Sequence, residues 1–323
     1  GYLRISFAGL FFMCAMFVTN GALHGAGDAV TPLLFGVLTT LINCVLTPAM
    51  IKGWCGLPAM GVDGSSLSTV ISRALALSVA LWLLFRGKLR LRLRLDSFAP
   101  NGRAIWRLVS IGFPGSLQMS VRMLMNVAMM AIVAQFGSQI VAAYAVGVRM
   151  RMVGLMPLFC FGGAAATMMG QNLGAGSPAR AQRSACVASA MALAVAGVMA
   201  LLLTVFARPI MAFFTDEAAV IGAGAGMLRL TALGLLGASV GIVLSRALNG
   251  AGDTVAPFLI NLAILWGLQI PASIYLAGVR SLWQRPVPWA GCLDFMGLTG
   301  PTGVWVVMAG ASILHGAVTA GWF

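Results

Sequence analysis

The sequence predicts an all-α polytopic membrane protein with two parallel six-helix lobes, of which these 323 residues hold about nine helices. Three observations carry that expectation. Sixty per cent of the residues are hydrophobic and only 8% are charged, where soluble domains carry about 25% charge. The apolar residues gather into runs close to the ~20 needed to cross a bilayer, bounded by Gly, Pro or charge. Finally, LRISFAGLFFMCAMFVTNGALHGAGDAVTPLLF, Leu3 to Phe35, returns without a gap as LRLTALGLLGASVGIVLSRALNGAGDTVAPFLI, Leu228 to Ile260, with 14 of 33 positions identical. Such a duplication of helix, tight turn and helix is the mark of a repeat architecture.

In chain order, the first crossings fall near 3–23, 31–51 and 64–85. The turn between the first two is Gly25-Ala26-Gly27-Asp28. Arg86 to Arg107, RGKLRLRLRLDSFAPNGRAIWR, follows with seven basic residues and one acid, which the positive-inside rule places in the cytoplasm. Its alternating basic and leucine pattern reads as an interfacial segment, with Leu dipping and Arg snorkelling. Crossings near 108–135, 140–169 and 183–206 come next, and those near 222–248, 255–278 and 302–321 complete the chain. The second repeat turn, Gly250-Ala251-Gly252-Asp253, joins the seventh crossing to the eighth.

Parity orients the whole. Six crossings separate the two copies of the repeat, an even number, so both run the same way through the bilayer as parallel repeats. The expected organisation is residues 1–86 as the second half of an N-lobe, 87–107 as a basic cytoplasmic linker, and 108–323 as a six-helix C-lobe. Three helices precede the repeat in the C-lobe and none in the N-lobe. A twelve-helix parent is therefore expected, with the chain as an N-terminally truncated fragment unable to transport alone.

Composition narrows the function. The formal net charge of +13 points to anionic lipid headgroups, not to nucleic acid, because no soluble basic domain is present to hold it. The partners expected are the bilayer and a small-molecule substrate, and a monomer is expected. An enzyme is not: His24 and His315, the two histidines, have no acid within their own apolar runs and read as packing or capping residues. Cys14, Cys44, Cys160 and Cys186 fall in apolar helices, where buried packing is the default, while Cys55 and Cys292 lie in loops on one side. No Cys/His metal spacing occurs, so no metal and no cofactor are expected. Gly25, Gly27, Gly250 and Gly252 supply backbone freedom for the two reversals, and Asp28 and Asp253 cap the next helix in each case.

Gly-Ala-Gly-Asp followed by Pro in both halves, Gly112-Phe-Pro-Gly, Phe136-Gly with Ala142-Ala-Tyr, and Gly170-Gln-Asn-Leu-Gly-Ala-Gly together resemble the multidrug and toxic compound extrusion (MATE) family. The resemblance covers essentially the whole chain. It implies an ion-coupled antiporter in the cell inner membrane that exports small organic compounds or drugs by alternating access, with sodium or a proton as coupling ion. The alternative is a flippase for lipid-linked saccharide precursors, from the wider superfamily with the same lobe plan.

Buried carboxylates mark ion pathways in membranes, yet all seven acids, Asp28, Asp63, Asp96, Asp216, Glu217, Asp253 and Asp294, fall in turns or loops. Some branches of the family use an N-lobe site with an acid on the first helix, which would lie in the missing N-terminal part, an Asn and an Asp one turn apart on the fifth and a Thr on the sixth. Leu41-Ile-Asn-Cys-Val-Leu-Thr-Pro48 matches the fifth-helix element with Asn43 in place and Thr47 where Asp is usual, and Ser68-Thr69-Val matches the sixth. Asn43, Thr47 and Thr69 are thus cation-binding candidates, the first two on one helix face. The alternative is that they hydrogen-bond between packed helices. In the C-lobe, Arg122, Arg149 and Arg151 are intramembrane cations, each disfavoured by roughly 2.5–3.5 kcal/mol on insertion, and are candidates for lining the substrate cavity. Arg122 either pairs with the missing N-terminal helices or makes the C-lobe cavity positive, and the latter favours an anionic, zwitterionic or neutral substrate over a lipophilic cation.

Overall fold

The computed structural model describes residues 1–53, 59–87, 89, 91, 101–277 and 300–323. Most of the basic linker, the 279–299 loop, and Cys55 and Cys292 lie outside the described residues. All regular structure among the described residues is helical, and the chain divides into two compact units, Gly1–Asn101 and Gly102–Phe323.

The first unit holds α1 (Tyr2–Ala8), α2 (Leu10–Gly25), α3 (Val30–Lys52) and α4 (Val62–Phe85). The run expected as one straight crossing, 3–23, is broken at Gly9 into α1 and α2, which meet at a 40° bend. Where Gly9 lacks a side chain, Val70 Cγ2 of α4 lies 2.3 Å from the position a Cβ would take. Ser66 of α4 ties α1 in place, meeting Ser6 Oγ at 2.8 Å and donating to the Tyr2 carbonyl at 3.2 Å. Leu23, Phe35, Ala80 and Leu84 form the small apolar core of this unit.

The second unit runs α5 (Gly102–Val133), a 3₁₀ turn (Ala134–Phe136), α6 (Ser138–Gly174), α7 (Pro178–Val205), α8 (Ala207–Phe214), α9 (Ala218–Ala251), α10 (Val255–Asn261), a π-helical stretch (Leu262–Gln269), α11 (Ile270–Leu276) and α12 (Pro301–Trp322). Residues 102–107, assigned to the linker from sequence, are instead the first turns of α5. Nothing between Gly102 and Arg107 interrupts a helix, so α5 extends back to Gly102. The short α8, which lies in a loop on the sequence reading, ends on Phe213 and Phe214, the former 86% exposed.

Helix α9 is the hub of this unit, with α6, α7, α8 and α12 against it. Small residues allow the approach. A Cβ on Gly250 would sit 2.3 Å from the Ala166 carbonyl oxygen of α6, and one on Gly237 would sit 2.3 Å from Ile313 Cα of α12. Leucines and alanines fill the core around these crossings. The outer faces stay apolar, with Trp106, Phe11 and Val18 more than 70% exposed, as lipid contact requires. Among the described residues eight helices are long and apolar enough to cross a membrane, or nine when the bent α1–α2 pair counts as one span.

The four helical cysteines are exposed, not buried as the sequence suggests. A helix with apolar residues all round gives no signal of which side meets lipid.

Candidate functional site

The two repeat turns have the same construction. Gly27 (φ 78°) and Gly252 (φ 92°) take the left-handed conformation that ends a helix. The Gly27 and Asp28 amides donate to the His24 and Leu23 carbonyls, both at 2.9 Å, and those of Gly252 and Asp253 to Asn249 and Leu248 at 3.1 and 3.0 Å. Gly25 and Gly250, expected to share in the reversal, are instead helical. One left-handed residue completes this type of stop, which leaves Gly250 free to serve the contact with Ala166. The aspartates cap the next helices: Asp28 Oδ1 accepts from the Thr31 amide at 3.0 Å, and Asp253 Oδ1 accepts from the Val255 and Ala256 amides at 3.1 Å each.

In the first unit the structure brings Asn43, Thr47 and Thr69 into one cluster. Asn43 Nδ2 donates to Thr69 Oγ1 at 3.2 Å, Thr47 Oγ1 donates to Asn43 Oδ1 at 3.3 Å, and Thr47 meets Ser68 Oγ at 2.7 Å. Ser68, fully buried and not among the sequence candidates, also donates to the Ser65 carbonyl at 2.9 Å. Thr47 and Ser68 thus have two protons for three contacts. Their oxygens are short of donors, and no carboxylate from α3 or α4 joins them.

A second cluster lies inside the second unit. Arg122 of α5 and Arg151 of α6 line one cavity of ≈ 170 Å³, with Asn126, Tyr144, Asn261, Gln269, Ser312 and His315 as its other polar walls. Asn261, completely buried, accepts from Arg122 Nη2 at 3.0 Å through Oδ1 and donates through Nδ2 to the Pro257 carbonyl at 2.7 Å. His315 is only 6% exposed, and its Nε2 has no hydrogen-bond partner among the described residues. Tyr144 stacks on Trp305 with ring centroids 5.6 Å apart, and Arg246 stands over Phe159, another wall, at 5.9 Å.

Arg149, expected beside Arg151, is exposed and does not line this cavity. Two residues on a helix are about 200° apart around its axis, so the pair cannot share one face. His315, a packing residue on the sequence reading, faces the cavity. Asn261, Gln269 and Tyr144 escape sequence reasoning as well; a lone amide within the apolar run Phe258-Leu-Ile-Asn-Leu-Ala-Ile-Leu is the available signal. The π-helical stretch places Leu265 and Gln269 on the same wall as Asn261, and such stretches recur at functional sites.

Membrane-length helices built on a duplicated helix–turn–helix, with a polar cluster in each unit, define the class as a membrane transporter fold. Residues 114–275 match the MatE family model, and the chain belongs to that family. It is 27% identical over 289 residues to the probable multidrug resistance protein YoeA of Bacillus subtilis, covering 87% of this chain and 61% of that protein. It is 28% identical over 287 residues to a FAD transporter of Shewanella oneidensis, covering 87% and 63%. A multidrug resistance MATE family transporter solved in an outward-facing conformation superposes with TM-score 0.87 at 21% identity, over 99% of this chain and 67% of that one. The chain thus spans about three fifths of the length of these curated relatives.

Proposed function

We propose that the chain works as part of an ion-coupled secondary transporter that exports small organic solutes by alternating access between two lobes. The observation that carries this is the family match across the C-lobe, together with a polar cavity inside an otherwise apolar bundle. Water-lined or polar space within a membrane bundle has to repay the desolvation of its side chains, and substrate passage does so. The multidrug-resistance relatives favour the exporter over a flippase for lipid-linked saccharide precursors. The basic segment Arg86–Arg107 orients the protein with the turns Gly25–Asp28 and Gly250–Asp253 toward the cytoplasm, in a cell inner membrane.

The Asn43, Thr47, Ser68 and Thr69 cluster is our candidate for the coupling cation. A hard cation takes oxygen ligands, and a cluster with fewer protons than contacts offers lone pairs in surplus. The oxygens that α3 and α4 supply are neutral, a set that suits sodium.

The test is efflux from proteoliposomes containing the reconstituted transporter, under imposed sodium or proton gradients. Asn43→Ala is expected to abolish sodium-driven export and to leave passive substrate binding intact. Efflux that is unchanged by Asn43→Ala removes the cation assignment, and substrate movement indifferent to any imposed ion gradient removes the antiporter reading.

A further inference from the structure

We propose that the C-lobe cavity is a built oxyanion site that holds the phosphate or carboxylate head of an amphiphilic anion. The inference deepens the transporter reading and rests on it for its physiological use, but the site stands on its own geometry. Arg122 and Arg151 bring two positive charges to one cavity inside the bundle, and no acidic residue among the described ones lines it. Two guanidiniums sharing a low-dielectric space repel each other strongly, and neither has an ion-pair partner among the described residues. A fold that keeps both there has an anion to hold.

The arrangement is oriented as well as charged. Asn261 holds one nitrogen of Arg122, being itself clamped to the Pro257 carbonyl, and the guanidinium fork has further donors to offer. His315 adds a buried ring nitrogen with no partner among the described residues. Its ring is seated by a contact that only glycine permits, since a Cβ on Gly241 would lie 2.1 Å from His315 Nδ1. Three nitrogen-bearing groups from α5, α6 and α12 therefore converge where planar, multidentate recognition of phosphate or carboxylate favours arginine.

Size and lining set the ligand class. At ≈ 170 Å³ the space is below the ~300–1,000 Å³ of sites that enclose whole drug-sized ligands, so it takes a head group. Its remaining walls, Met125, Met129, Leu155 and Met308 among them, are apolar and deformable, suiting the adjoining hydrophobic or aromatic body. A lipid with a phosphate head and a soluble phosphorylated compound share this chemistry.

The test is equilibrium titration of the purified protein in phosphatidylcholine nanodiscs, without any ion gradient, using phenyl phosphate and phenyltrimethylammonium as probes of equal ring and opposite charge. Phenyl phosphate is expected to bind at least about tenfold tighter, the difference one charge-assisted hydrogen bond makes. Arg122→Gln and Arg151→Gln each lose about tenfold or more of that binding, whereas Arg149→Gln, outside the cavity, retains it. Repeating the titration in discs containing phosphatidylglycerol separates the sources: competition assigns the site to an anionic lipid head, and its absence to a soluble oxyanion, both within the proposal. Equal or tighter binding of the cationic probe, no binding of phenyl phosphate in either disc, or full binding by the folded Arg122→Gln and Arg151→Gln variants overturns it. Because no gradient is used, that failure leaves the export reading standing, and failed gradient-driven export leaves the anion site standing.

Discussion

Gly237→Ala is the sharpest single test of how the C-lobe holds its cavity. A Cβ at this position would lie 2.3 Å from Ile313 Cα, 2.6 Å from the Ser312 carbonyl oxygen and 2.7 Å from the Ile313 nitrogen, all backbone atoms of α12. The contact is reciprocal, because a Cβ on Gly316 would lie 2.3 Å from the Gly237 carbonyl oxygen. No rotamer change relieves a clash with backbone, so α12 must withdraw from α9 by about 1 Å to reach ordinary contact. Overpacking of this kind costs about 1–3 kcal/mol, at the upper end where neither partner yields, and the better helix propensity of Ala returns about 1 kcal/mol. The expected net loss is therefore about 2 kcal/mol.

The control is Gly226→Ala on the same helix, where an added Cβ meets nothing within 4 Å and only the propensity gain of about 1 kcal/mol remains. Thermal unfolding in detergent, followed by tryptophan fluorescence, should give Gly237→Ala a Tm below wild type and Gly226→Ala a Tm at or above it. Because α12 carries Met308, Ser312 and His315, the same variant should weaken binding of an anionic probe beyond what its lowered stability explains at temperatures well below Tm. Equal Tm values for the two variants would refute the close α9–α12 crossing and the cavity geometry built on it.

Further outcomes rest on the same contacts. Asn261→Leu frees Arg122 from a hydrogen bond worth about 1.5–3 kcal/mol to a charged group and should lower both Tm and phenyl phosphate affinity, while Asn261→Gln restores part of the affinity. Asp28→Ala removes a cap and should lose about 1 kcal/mol in detergent melts; Asp28→Asn keeps most of it, and ion-driven efflux by either variant should retain the wild-type ion dependence. Cys14, Cys44, Cys160 and Cys186 are exposed, so a lipid-soluble maleimide should modify them in the folded protein, as read by intact mass. Their replacement by Ala should shift stability by no more than about 0.5 kcal/mol.

Much of the fold is legible because the membrane simplifies the code. Run length gives the crossings, and the duplicated Gly-Ala-Gly-Asp gives two helix stops of identical hydrogen bonding. What escapes is direction around each helix axis. An apolar run shows lipid and core faces alike, so sequence puts the cysteines inside and gives no sign of the bend at Gly9. The candidates of the first unit gather because i and i+4 spacing fixes Asn43 over Thr47 whatever surrounds them. Ser68 enters the sequence match only as the neighbour of Thr69, since a hydroxyl within Val-Asp-Gly-Ser-Ser-Leu-Ser-Thr carries no mark of its own.

The arginines show how direction can be read. On α6 the buried small and apolar positions Ala143, Gly147, Gly154, Leu158, Gly162, Ala165 and Met169 recur at steps of three, four and seven, the trace of one helix face. Arg151 falls four after Gly147 and seven before Leu158, and so completes that stripe; Arg149 breaks it. On α5, Arg122 stands three, seven and ten residues before the buried Met125, Met129 and Ile132, again on the inward face. His315 stands seven and four residues after the buried Met308 and Ala311 and four before Thr319 on α12, likewise on the inward face. Three helices therefore each interrupt their most closely packed stripe with a nitrogen-bearing side chain, and the three interruptions meet at one cavity. Random placement of polar residues in lipid-facing helices would scatter them outward, as it does Arg149. Convergence at the positions where desolvation is most costly is the pattern of a site that a ligand completes.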